Sequence, residues 1–206
     1  MHVEILVEEE SVEVALSNLL PKIAPNLSYQ LYVHQGKHDL LQKLPQRLRG
    51  YREWLPADWR ILILLDEDRE DCIALKARIE DIARSVGFST RTVRDSSGQF
   101  QVITRIVIEE LESWFFGDIA ALCAAYNGIS PTLPNKQRYR DPDAIVGGTW
   151  EALLRELQRA GHYRGMNYLP KKEVAALISA NMNPASNASR SFCLFRDALQ
   201  EIYMVS

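Results

Sequence analysis

The chain opens on His2-Val3-Glu4-Ile5-Leu6-Val7-Glu8, an alternating and β-branched stretch that predicts a strand. Ser11 then stands as a helix cap before Val12, Ala15, Leu16, Leu19 and Leu20, which share one helical face. Tyr29 to Gln35 predicts a second strand ending at Gly36. Leu40, Leu41, Leu44, Leu48 and Tyr51 then return to helical spacing, with a kink expected at Pro45. Residues 60 to 66, Arg-Ile-Leu-Ile-Leu-Leu-Asp, form a continuous apolar run closed by an acid. That is the pattern of a parallel strand buried on both faces, and it predicts a place in the middle of the sheet. A helix over 70 to 86 stopped by Gly87, a strand over 88 to 94, a turn at Ser96-Ser97-Gly98 and a strand over 100 to 108 complete the series.

Strand and helix alternate in this way across the first 120 residues or so, which implies an α/β fold: a mostly parallel sheet with helices on both faces. In such folds the site lies beyond the carboxyl ends of the strands. One helix is expected over 109 to 126. The texture then changes, with Pro, Gly and charge over 127 to 148 and helical patterns near 149 to 160, 171 to 182 and 189 to 203. We read residues 1 to 126 as the α/β core and 127 to 206 as a helical extension packed on it, together one structural domain. At 206 residues and 47% hydrophobic content, a single core can be filled without disulfides.

Cys72, Cys123 and Cys193 are odd in number and form no CxxC pair, so neither a disulfide framework nor a zinc knuckle is indicated. No run of 18 apolar residues occurs, and no basic segment precedes an apolar one at the start. The expectation is a soluble cytoplasmic protein with no membrane association. The net charge of -3 conceals clustering: residues 1 to 16 carry five Glu and no base, and residues 66 to 71 and 109 to 118 carry -4 each. The clusters hold -13, so the remainder holds +10, the field of an acidic centre in a basic surround if the clusters converge. Solvated helix starts would give the same counts.

Three acids share one topological address. Glu8 ends the first strand, Asp66 ends the third, and Asp68 lies just beyond it. Hard oxygen ligands on such an edge suit Mg²⁺ or Mn²⁺, which can activate water and neutralise a phosphodiester. Acids after a strand also cap helices without further role. Glu109 and Glu112, three apart, are expected on one helical face, where they would extend the metal site or serve the helix dipole. Lys37, Arg47, Arg49 and Arg52, and later Lys136, Arg138, Arg140, Arg164, Lys171 and Lys172, are phosphate-contact candidates or ordinary surface. Ser186, Ser189 and Ser191 around Arg190 suggest either an anion site or a helix cap. His34 and His38 lack a third ligand and read as structural.

The run Val7-Glu8-Glu9-Glu10-Ser11-Val12-Glu13, followed by Leu64-Leu65-Asp66-Glu67-Asp68, resembles the Toprim pattern of a Glu and then Asp-x-Asp. More narrowly, the chain is similar to the Toprim-like proteins grouped as domain of unknown function 4276. This likeness rests on Gly36-Lys37-His38-Asp39-Leu40-Leu41, the segment from Glu109 to Asp118, Gly147-Gly148-Thr149-Trp150-Glu151 and Ser189-Arg190-Ser191-Phe192. The Toprim superfamily includes topoisomerases, primases and overcoming-lysogenisation nucleases. The resemblance implies a Toprim-like fold in which Glu8 is the acid of the first motif, Asp66 and Asp68 bind Mg²⁺ or Mn²⁺, and Glu109 and Glu112 form a further acidic motif. Relatives carry Gly where this chain has Glu9 and Glu where it has Val12, which leaves Glu9 open as a substitute for Glu8. Some relatives resemble partners of ATPases in phage-defence operons.

Three readings follow. The first is a metal-dependent nuclease acting on nucleic acid, with Lys171 or nearby bases contacting phosphate. The second is a non-catalytic regulatory module of an ATPase partner. The third, a phosphatase with Asp66 as nucleophile, is weakened because the strand comes third and Glu70 stands where Thr or Val is required.

Overall fold

The computed structural model describes residues 1–204. Four parallel strands form one sheet in the order β2-β1-β3-β4: β1 (His2–Val7), β2 (Ser28–Val33), β3 (Arg60–Asp66) and β4 (Val102–Val107). Between them run α1 (Glu10–Ile23), α2 (Lys37–Trp54) and α3 (Cys72–Ser85). The fold is therefore α/β and all-parallel, with helices on both faces. β3 is buried at every residue and lies inside the sheet, as its unbroken apolar run predicts. The period of two divides the core. Val3, Ile5, Val7, Leu62, Leu64, Ile103 and Val107 face one cluster with α1, whereas Leu6, Ile61, Ile63, Leu65 and Val102 face a second with α2 and α3.

The later helices are α4 (Glu112–Phe116), α5 (Ile119–Ala125), α6 (Thr149–Arg159), α7 (Lys171–Asn181) and α8 (Arg190–Met204). Their apolar faces, including Leu153, Ile178 and Phe195, join the cluster under α1, so residues from both parts of the chain share one core. Lys22 on α1 donates to the carbonyls of Ser179, Ala180 and Met182, satisfying the end of α7 with the charge its dipole favours. Among the described residues, no helix is long and apolar enough to cross a membrane.

Three local expectations are corrected. The helix expected over 109 to 126 is two helices, because Asp118 accepts from the N–H of Ala121 and starts α5 anew. Gly117 at the break packs so tightly on Asn187 and the N–H of Ser189 that a Cβ would not fit. The strand expected over 88 to 94 is a single bridge from Thr90 to Val102. The chain instead turns back, with the N–H of Thr90 donating to Val93 O and Asp95 holding Ser97 and Gln99. α2 carries Pro45 within its length. Ser11 lies inside α1 and donates to the side chain of Glu9, the residue at the cap position.

Candidate functional site

Because all four strands are parallel, their carboxyl ends meet on one edge, and Val7 of β1 pairs with Leu64 of β3 just before Glu8 and Asp66 emerge there. Both acids are sealed from solvent, Glu8 at 6% exposure and Asp66 at 2%. The N–H of Asp66 donates to Glu8 Oε1 at 3.4 Å, and the N–H of Leu111 donates to Asp66 Oδ2 at 3.3 Å. Glu112, at the start of α4, is buried beside them at 1% exposure. One oxygen of each acid, Glu8 Oε2, Asp66 Oδ1 and Glu112 Oε2, is buried with no hydrogen-bond partner among the described residues.

Buried carboxylates without partners cost several kcal/mol unless they take up a proton or a cation (about 2–7 kcal/mol even for a neutral polar group). Burial, ahead of the charges of Asp68 and Glu9, pushes Glu8 up to about 7. Burial likewise pushes Glu112 up to about 7, with Lys171 working against it. Asp66 is held well above the usual carboxylate range by burial and then by Glu8 and Glu112. Lys171, the first residue of α7, faces the cluster, its Nζ 3.6 Å from Glu9 and 3.7 Å from Glu110. Burial alone would lower its pKa, but Glu112, Glu9, Glu110 and Asp66 together raise it.

A more exposed rim surrounds this centre. Asp68 pairs with Lys37 at 2.6 Å, and Lys37 also donates to Glu67 O. Asp68 and Glu109 both adopt left-handed backbone, with φ of 54° and 59°. The reason is a loop-to-loop clasp beyond the β3–β4 ladder: the N–H of Asp68 donates to Glu109 O, and the N–H of Glu109 donates to Glu67 Oε2. Strained φ of this kind costs about 1–3 kcal/mol per residue and persists where surrounding contacts dictate it. Glu109 therefore lies outside any helix and shares no helical face with Glu112, which corrects the sequence expectation. Burial, ahead of Glu67, Glu110 and Asp68, raises the pKa of Glu109.

The expected residues thus divide. Glu8, Asp66, Glu112 and Lys171 form the inner group, and Asp68 and Glu109 form the rim. Between the two candidates for the first acid, Glu8 occupies the buried position against Asp66, whereas Glu9 is half-buried and paired with Lys171. The pairing of Lys37 with Asp68 was not foreseen, although Gly36-Lys37 after β2 already shared the edge. Glu110 was likewise missed as the anchor of α6, where it accepts from Thr149 Oγ1 and the N–H of Trp150 in place of a cap that Gly148 cannot supply.

Other candidates are committed elsewhere. The start of α8 already holds an anion of the chain's own, since Asp143 accepts from Ser189 Oγ and from the N–H of Ser191. Buried His34 places Nδ1 3.0 Å from Val7 O, a structural contact. Arg47 lies over the ring of Tyr32 and Arg52 over that of Phe88.

The donor set is the hard oxygen chemistry that Mg²⁺ and Mn²⁺ take. Among the described residues, no group of three or more His, Cys, Asp or Glu side chains stands ready to hold a metal ion, so ligation requires these carboxylates to rotate together. A family model described as Domain of unknown function (DUF4276) matches residues 7–202. Neither the curated proteins nor the solved structures contain a match to the chain.

Proposed function

The chain belongs to the DUF4276 family, and from that premise we propose that its acidic edge is the site of a Toprim-like, Mg²⁺- or Mn²⁺-dependent phosphodiesterase acting on nucleic acid. The observation that carries this reading is the trio of buried, unpartnered oxygens on Glu8, Asp66 and Glu112. Sealing three ionised acids together is costly to the fold unless a cation compensates them, so the arrangement argues for a ligand. Glu8 and Asp66 would hold the ion, joined by Asp68 from the rim. When bound, such an ion supplies positive charge to a phosphodiester and a more acidic water. Lys171, already balanced against Glu9 and Glu110, would exchange those partners for a phosphate oxygen. Glu112 and Glu109 would accept and return a proton.

The test is cleavage of single-stranded DNA, duplex DNA and RNA with Mn²⁺ or Mg²⁺, by wild type, Asp66→Asn and Glu112→Gln. The expected result is metal-dependent cleavage that each variant slows by about a hundredfold or more. Cleavage retained in Asp66→Asn, or none by wild type with either metal and with an ATPase partner present, would overturn the reading.

One observation favours a second reading, a non-catalytic regulatory module in a two-component ATPase system. Lys37 and Lys171 already neutralise Asp68, Glu9 and Glu110, which could hold the edge together without metal. Stable co-purification with an ATPase, together with no Mn²⁺ binding, would support it.

A further inference from the structure

The outer side of β4 presents an unfinished edge. β4 is an outer strand, and its ladder to β3 is anchored by the bonds from Ile61 N to Gln101 O and from Glu67 N to Val107 O, both 2.8 Å. In a parallel ladder alternate residues face alternate neighbours, so the odd-numbered residues of β4 bond to β3. The N–H and C=O of Val102, Thr104 and Ile106 therefore turn outward. Val102 is covered, since it accepts from Arg91 N and donates to Ser89 O, but the chain turns away there, and no further strand continues along Thr104 and Ile106 among the described residues.

Along this open stretch runs a cleft of about 660 Å³, walled by α3 on one side and α8 on the other. Ile73 on α3 and Leu194 on α8 line it and are 77% and 48% exposed. Lys76 and Arg190 add positive charge. Asp141 and Asp143 also line it, but Asp143 is bound by Ser189 and Ser191, and Asp141 accepts from the N–H of Asp143.

Arg105, on β4, is the feature that points to a ligand. It lines the cleft yet is only 8% exposed, and its Nε and Nη2 have no partner among the described residues. Its Nη1 reaches only the adjoining Thr104 O at 3.5 Å, too long for a strong bond. The acids near enough to influence it are engaged elsewhere: Glu201 with Arg91 and Arg94, Asp197 with Arg196, Glu80 with Thr92. A guanidinium so placed lacks the carboxylate that normally compensates its burial.

We propose that an acidic, extended segment of a partner protein adds as a fifth strand along β4, pairing its backbone with Thr104 and Ile106 and one carboxylate with Arg105. A strand seated between two helix walls satisfies outward backbone groups, apolar walls and buried cation together, whereas a small anion would satisfy Arg105 alone. None of these residues belongs to the acidic centre, so this inference stands or falls independently of the phosphodiesterase reading.

The probe is acetyl-Thr-Val-Glu-Val-Thr-amide at about 1 mM, the range of weak strand addition, added to the full-length ¹⁵N-labelled protein. The expected result is shift changes and slowed hydrogen exchange at the amides of Thr104 and Ile106, and none with Lys in place of the peptide's Glu. Arg105→Met and Ile106→Pro should each weaken the effect about tenfold. Because the N–H of Ile106 points outward, Ile106→Pro leaves the β3 ladder bonds in place, and circular dichroism checks that both variants fold. The proposal is overturned if no localised change appears, if sodium acetate reproduces it, or if both folded variants respond as wild type does. A concentration-dependent dimer that protects the same amides and resists the peptide would assign the edge to a second copy of the chain, and would overturn it equally.

Discussion

Glu4 lies in the amino-terminal half of β1 and Glu8 just beyond its carboxyl end, four residues apart and almost equally buried at 2% and 6%. Glu4 is fully provided for: Tyr51 donates to its Oε2 at 2.7 Å, and His2 Nε2 lies 2.9 Å from its Oε1. Glu8 receives one long bond from Asp66 N and faces Asp66, Glu9 and Asp68, with Oε2 unpartnered among the described residues. Burial is therefore not what distinguishes a site from a scaffold. The amino end of the strand surrounds its carboxylate with donors, and the carboxyl end surrounds its own with further carboxylates. The second arrangement is costly to folding and useful for holding a cation.

Removing charge at each end should separate the two roles. Asp66→Asn keeps shape and the acceptor for Leu111 N while relieving repulsion with Glu8 and Glu112. It should abolish Mn²⁺ binding yet raise metal-free stability by about 1 kcal/mol at pH 8, read from urea unfolding. A destabilised Asp66→Asn would break the comparison.

The next effect is the pH dependence of metal-free stability. Glu8 and Glu112 hold their protons to about 7 in the folded chain, against an ordinary value of 4.5. The folded state then binds more protons than the unfolded state between those values. Their contribution to stability is complete below about 4.5 and is lost as pH rises through about 7. Saturating Mn²⁺ should restore stability above that range, because it binds the folded deprotonated cluster. Denaturation midpoints with and without Mn²⁺ that run parallel over this range would contradict the account.

At the other end, Tyr51→Phe leaves Glu4 Oε2 without its donor and should cost about 1–3 kcal/mol with no effect on Mn²⁺ binding. Smallest, Thr149→Val removes one of the two donors that tie α6 to Glu110. It should cost about 1 kcal/mol, again leaving Mn²⁺ binding unchanged.

What could be read from the chain alone follows the range of the interactions. The interior place of β3 was legible because Ile61 to Leu65 leave no polar face, and the shared edge of Glu8 and Asp66 follows once the strands are parallel. The left-handed turn at Glu109 was hidden because its cause is a clasp with Glu67 and Asp68, 40 or so residues earlier, which overrides local helix preference. The break at Gly117 depends on Asn187 and Ser189, which no local pattern announces. Residues 88 to 94 misled differently: Thr90, Thr92 and Val93 favour a strand, but the bonds of Thr90 with Val93 and the Asp95 turn prevail. The unpaired guanidinium of Arg105 had no signature at all, since an Arg in a strand pattern discloses neither its burial nor its missing partner.

The central claim, that the carboxyl end of β1 is built for a cation and the amino end is not, is tested most directly by calorimetric titration of Mn²⁺. The samples are wild type, Asp66→Asn and Tyr51→Phe at about pH 8, above the value of about 7 to which Glu8 and Glu112 are pushed. The account predicts saturable binding in wild type and Tyr51→Phe and none in folded Asp66→Asn. Equal binding in Asp66→Asn, or no binding in wild type even with nucleic acid present, would contradict it.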